Sequence, residues 1–216
     1  MDGLLRFFEH DFHIIGLAWM AAVYGLRTIQ FARLPWPGDR APRRGSPGRG
    51  VMAAYAAAFV PWSTEGNRKH PWRWLEFAVY HLGAAAAIAT TFMLSFAPGV
   101  LTSPVRHTLA VIAAAAAAAG AVKIIRRLSR PELRLISVPD DYFSLAGVEA
   151  FLVATTIVLL AQSTPARMAF FIITGCYLIY VPLSKVSHYV YYFLAALVTG
   201  ARYGLRGARP APRRPA

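Results

Sequence analysis

WLEFAVYHLGAAAAIATTFMLSFAP, running from Trp74 to Pro98, is the stretch on which the fold turns. Apart from Glu76 and His81 it is apolar or small throughout. A helix rising 1.5 Å per residue needs about 20 such residues to cross a ~30 Å hydrocarbon core, so the segment reads as a transmembrane helix. Working outward, four further apolar stretches occupy about 11–32, 105–122, 142–163 and 168–200. Arg27 interrupts the first near its end, where an arginine reaches the headgroups by snorkelling. The last is long enough to tilt or to extend beyond the bilayer. The expectation is an all-α membrane protein, a five-transmembrane-helix bundle.

Composition agrees. The chain has 216 residues, 56% hydrophobic and 15% charged, where a soluble domain is about a quarter charged. Mean hydropathy is +0.42. Lys+Arg number 23 against 10 Asp+Glu, a formal net charge of +13, and the basic residues lie between the apolar stretches. Arg33, Arg40, Arg43, Arg44, Arg49, Arg68 and Lys69 follow the first helix, and Lys123, Arg126, Arg127, Arg130 and Arg134 follow the third. Arg202, Arg206, Arg209, Arg213 and Arg214 close the chain. The positive-inside rule then places the N-terminus outside and the C-terminus in the cytoplasm, with 33–73 a cytoplasmic loop. Topology accounts for the charge without nucleic acid, and a basic inner face suits anionic lipid or an acidic partner subunit. The single cysteine, Cys176, excludes a disulfide framework and a Cys-based iron–sulfur or zinc site within the chain. Nothing precedes the first helix in the manner of a cleavable signal, so 12–31 reads as a retained helix.

Smaller signals complete the layout. The stretch 35–50, rich in proline and glycine, reads as a flexible loop, and 51–62 as a surface or re-entrant helix. Pro139-Asp140-Asp141 offers an N-cap and negative charge to the fourth helix. The alanine run 113–119 provides close helix packing. The basic tail, 206–216, reads as disordered.

Polar residues at membrane depth are costly and are functional candidates by default. They are Glu76, His81, Glu149, Lys185 and His188, with His70 at the boundary. His10, His13 and His107 read as interfacial residues facing headgroups or water. His81 lies ~16 Å from the inner start of the second helix, and His188 lies ~21 Å before Arg202 if the fifth helix is continuous. Two imidazoles at similar depth on antiparallel helices are what the two axial positions of a b-type haem require. Ser184, one turn before His188, is placed to orient it. Gly83, Ala84 and Ala85 beside His81 leave room for a flat macrocycle. The competing reading has two unrelated histidines bonding backbone carbonyls between helices. His70 and His81 share a helical face, but no histidine follows His188, so one bis-His haem is expected. His70 is then a boundary residue, a propionate neighbour or the candidate for a second haem. Lys185 suits haem propionates or a quinone oxygen, with Arg106 and His107 as alternative quinone-site residues. Glu76 and Glu149 suit a proton relay or simple charge pairing, and Tyr189, Tyr191 and Tyr192 suit helix contacts.

Two blocks carry a family resemblance. Pro61 to Pro71 followed by Trp74 to Gly83, and Val181-Pro182-Leu183-Ser184-Lys185-Val186-Ser187-His188, resemble the second- and fifth-helix regions of the gamma subunit of respiratory nitrate reductase and its relatives. The likeness covers about 5–205. It implies one transmembrane cytochrome b domain over 1–205, in which His81 and His188 bind haem b. The partner that His70 would need for a second haem is missing from 200–206. That points toward the shorter relatives that pair with heterodisulfide-reductase-like iron–sulfur subunits. The resemblance further implies electron exchange between the quinone pool and an iron–sulfur or molybdenum-enzyme subunit on the cytoplasmic side. It also implies a bacterial or archaeal cytoplasmic membrane, and an electron-transfer subunit rather than a catalyst on its own. The alternative is a cofactor-free small transporter or assembly protein in which Lys185 and Glu149 handle substrate or protons. No nucleophile–base constellation, HExxH or phosphate-binding glycine loop supports catalysis by the chain itself.

Overall fold

The structure, a computed structural model, describes residues 2–35, 42–60, 62 and 65–207. The first stretch runs through Asp2–Arg6 (α1), a π-helical turn Phe7–Phe12 and His13–Arg33 (α2). Pro47–Phe59 (α3) and Glu65–Lys69 (α4) follow, and then Pro71–Phe96 (α5), which contains all but the last two residues of the opening stretch. Ser103–Ser129 (α6), Pro131–Leu135 (α7), Pro139–Ala161 (α8), Thr164–Tyr180 (α9) and His188–Leu205 (α10) complete the order. Among the described residues there is no strand, and five spans are long and apolar enough to cross a membrane: Gly3–Arg33, Pro71–Phe96, Ser103–Ser129, Pro139–Ala161 and Thr164–Leu183. The chain is an all-α, five-span membrane protein. Residues 36–41 of the proline- and glycine-rich loop, and the tail from 208 onward, lie outside the described residues.

Local chemistry sets the boundaries. Proline occupies the first turn of α3, α6, α7, α8 and α9, where its missing N–H costs nothing and its fixed φ suits the helix. At the start of α8 the Asp141 carboxylate accepts the backbone N–H of Val138 at 2.9 Å. Asp141 thus caps the helix from its first turn, with Val138 at the N-cap position. Gln162, in the left-handed region at φ 49°, ends α8.

The stretch 168–200 is not one helix. The fifth span ends at Leu183, two 3₁₀ turns cover Val181–Leu183 and Lys185–Ser187, and α10 starts afresh at His188. Pro182 has no N–H for the ladder, and its ring crowds the preceding turn. Ser184 is extended at φ −103° and ψ 175°. Its hydroxyl donates to Val181 O at 2.9 Å and accepts from Val186 N at 3.1 Å, which replaces ladder bonds with local ones. The interval from His188 to Arg202 therefore runs along a separate helix and does not measure depth in the fifth span.

The chain divides into two compact units, Met1–Leu26 with Glu76–Val186, and Arg27–Leu75 with Ser187–Ala216. The first has a core around Tyr80, Ala87, Ala110, Ala116, Phe151, Leu152, Phe170 and Phe171. On α6 the buried positions are Ala110, Ala113, Ala116 and Gly120, one face of the alanine run. Larger residues such as Leu82, Ile88, Phe92, Val111, Ile157 and Leu160 remain exposed. Small residues on the buried face of α6 and large apolar ones outside is the pattern expected where lipid, not water, surrounds the helices. The buried hydroxyls of Thr90, Thr91, Thr155 and Thr174 donate to carbonyls four residues back, so none needs water.

In the second unit α3 lies on α10 through glycines. A Cβ on Gly50 would collide with the Gly200 carbonyl, and one on Gly204 with the Ser46 carbonyl and with Gly50 Cα. Tyr55 Oη also donates to Phe193 O at 3.1 Å. Because the obstacles are backbone atoms, Gly204→Ala is expected to destabilise this unit by about 1–3 kcal/mol. Earlier proteolysis near α3 would report it.

Candidate functional site

His81 sits on α5 in the first unit, and its Nδ1 lies 2.8 Å from Phe77 O. A carbonyl only accepts, so Nδ1 carries a proton, and of the two neutral tautomers this is the one in which Nε2 would be the metal-ligating nitrogen. The ring rests on Phe77 at 4.0 Å between centroids and is exposed within its unit. Gly83 does not leave room beside it as expected. It is buried against Ala116 and Leu152, because two residues along a helix turn the chain by about 200°. Ala84 and Ala85 stay on the His81 side. Among the described residues no three His, Cys, Asp or Glu side chains converge on a metal position, whereas axial ligation of a haem asks for only two.

His188 is the first residue of α10, exposed, and belongs to the second unit. One turn on, Tyr191 Oη accepts from Arg27 Nη1 at 3.2 Å, the arginine that interrupts the first apolar stretch. His70 lies between α4 and α5, exposed, with its N–H on Gly66 O at 3.0 Å. His81 and His188 therefore stand in separate units, each with its own surroundings.

Ser184 and Lys185 belong to the first unit, where the α8 start holds Lys185. Lys185 N–H donates to Asp140 Oδ2 at 2.8 Å, and its ammonium donates to Asp141 Oδ2 at 2.8 Å. Tyr180 Oη donates to Asp140 Oδ1 at 2.5 Å, and Arg127 stands 3.6 Å from Asp141. These bonds fasten the break after α9 to α8. Sequence spacing alone did not show that the acidic pair reaches Lys185. The ion pair is partly exposed, so Lys185→Ala is expected to cost less than about 1 kcal/mol in a thermal melt. Arg106 donates to Gln162, and His107 Nδ1 lies 2.7 Å from Ser103 O. Both groups are thus tied to helix ends.

Two groups read as interfacial or passed over in the sequence prove to be interior. His13 is 1% exposed, ringed by Phe92, Phe96 and Phe171, and so does not face headgroups or water. Glu9, 6% exposed in the π-helical turn, accepts from Arg167, which also donates to Leu94 O at 2.9 Å. The π turn is the one local irregularity of the first span, and such turns gather at functional or tightly fitted places.

Glu76 and Glu149 separate. Glu76 takes both guanidinium nitrogens of Arg126, at 2.7 and 2.8 Å, a bidentate charge pair. Glu149 Oε2 is buried with no hydrogen-bond partner among the described residues, and so is Tyr80 Oη. Lys123 Nζ lies 3.8 Å above the Tyr80 ring, at cation–π distance.

The fold and these groups define a class: a multi-pass helical membrane protein with ionisable and imidazole side chains inside its spans. No protein-family model matches the chain, and no solved structure matches it. A curated protein of Nitratidesulfovibrio vulgaris (strain Hildenborough), whose name states no activity, is 28% identical over 195 residues, covering 83% of this chain and 84% of the relative.

Proposed function

We propose that the chain is the haem b-containing membrane subunit of a respiratory complex in a bacterial or archaeal cytoplasmic membrane. It passes electrons between the quinone pool and an iron–sulfur or molybdenum-enzyme partner on the cytoplasmic side. The observation that carries the reading is His81: it stands on a membrane-spanning helix, and its Nδ1 donates to the Phe77 carbonyl, the bond that fixes the ring orientation of a ligating histidine. His188 would supply the second imidazole, as the resemblance of the Pro-Leu-Ser-Lys-Val-Ser-His block implies. Small Ala84 and Ala85 on the His81 side suit a flat macrocycle.

When bound, a haem at these residues supplies one-electron transfer, its potential set by the bis-imidazole ligation and the apolar surroundings. The chain itself orients the His81 ring through the Phe77 carbonyl and the Phe77 ring. Basic groups along its inner side meet an acidic partner. A reduced-minus-oxidised spectrum of the purified chain, with haem counted per polypeptide, tests this. One b-type haem is expected. Two would bring His70 in as a ligand, and none, in a folded chain made with haem available, would overturn the reading in favour of a cofactor-free membrane protein.

A further inference from the structure

The two acids inside the spans have different surroundings. Glu76 is neutralised by Arg126, whereas Glu149 forms no ion pair among the described residues and buries Oε2 without a hydrogen bond. Glu149 lies ten residues into α8, about 15 Å along the helix. Its carboxyl occupies the space that a side chain at position 120 would fill, since a Cβ there would collide with Glu149 Oε2 and with the edge of the Tyr80 ring. Gly120 thus makes the slot, α5 walls it with Tyr80, and Lys123 covers the outer face of that ring. Glu76 and Tyr80 are one turn apart on α5, as are Lys123 and Arg126 on α6, so each pair shares a helix face. Ionisable groups therefore continue from the Glu76–Arg126 pair inward to Glu149.

We propose that Glu149 is a proton-binding site in the membrane interior, held in the slot opened by Gly120 and loaded from the end of the spans where Glu76 and Arg126 pair. A carboxylate with an unbonded oxygen in apolar surroundings is costly to keep charged, and the neutral acid is the form such a slot holds. In the electron-transfer reading above, the site supplies protons that a quinone takes up with its electrons. The slot itself does not depend on haem.

A hydrophobic carbodiimide applied to the full chain in its native membrane tests this, because it attacks carboxyl groups that carry their proton. The reaction is an addition: the carboxyl proton moves to one carbodiimide nitrogen, the oxygen bonds to the central carbon, and the acyl group then migrates to nitrogen as a stable N-acylurea. Peptide mapping by mass spectrometry is expected to find the adduct on Glu149. It should vanish in Glu149→Gln and persist in Glu76→Gln. No adduct on Glu149 in a chain that keeps its thermal transition would overturn the proposal. So would an adduct that appears only in Lys123→Met, since Lys123 would then normally hold the carboxylate as an ion pair. Haem content measured on the same membranes reports separately on His81 and His188.

Discussion

Alanine at His81 or at His188 is expected to abolish haem retention, while His10→Ala and His107→Ala keep it. Losing a group that merely orients a metal ligand costs 10–100-fold in affinity, so losing the ligand itself should cost more than about 100-fold. The α-band of the reduced spectrum should then disappear in a chain that still folds. Exposure helps here: neither His81 nor His188 is buried in its own unit, so truncation leaves no cavity in a core. His107, bonded back to Ser103 O within α6, serves only its own helix. Added imidazole should restore the spectrum in His81→Gly, which separates lost ligation from lost fold. Retention of haem by both alanine variants would sink the bis-His assignment.

The second large effect is on stability. Arg167→Met strands Glu9, 6% exposed in its π-helical turn. Removing one partner of a buried ion pair costs about 3–5 kcal/mol because the remaining charge is uncompensated. For a chain of this length that corresponds to a fall on the order of 10 °C in Tm. The double variant Glu9→Gln/Arg167→Met should recover much of the loss, since it leaves no stranded charge. The bond from Arg167 to Leu94 O lies outside that recovery. A double variant no better than Arg167→Met, measured by thermal unfolding in detergent, would show that the arginine acts through Leu94 and not through Glu9.

The spans were legible because length and hydropathy report directly on a ~30 Å apolar layer. The expected helix 74–98 is observed as Pro71–Phe96, and 142–163 as Pro139–Ala161. The apolar run 168–200 misled because Pro182 and Ser184 are two residues among many apolar ones. Hydropathy does not register a lost N–H or a hydroxyl that competes with the ladder. His13 looked interfacial because it lies near the start of the first span. Phe92, Phe96 and Phe171, which enclose it, come from α5 and α9, and no local pattern announces them. Glu76 and Glu149 looked alike for the same reason: each is one acid in an apolar helix.

By itself the sequence determined that this is a five-span α-helical membrane protein, and it singled out the histidines on which a haem reading rests. Those are properties of composition and of order along one chain segment. Only the tertiary structure decided which acid is paired, which histidine is interior and where the fifth span stops. Each depends on what another helix presents: Arg126 to Glu76, a missing side chain at Gly120 to Glu149, and Asp140 to the N–H of Lys185. A charge inside a membrane is tolerated or costly according to its neighbours across the helix interface, and those neighbours are distant in sequence.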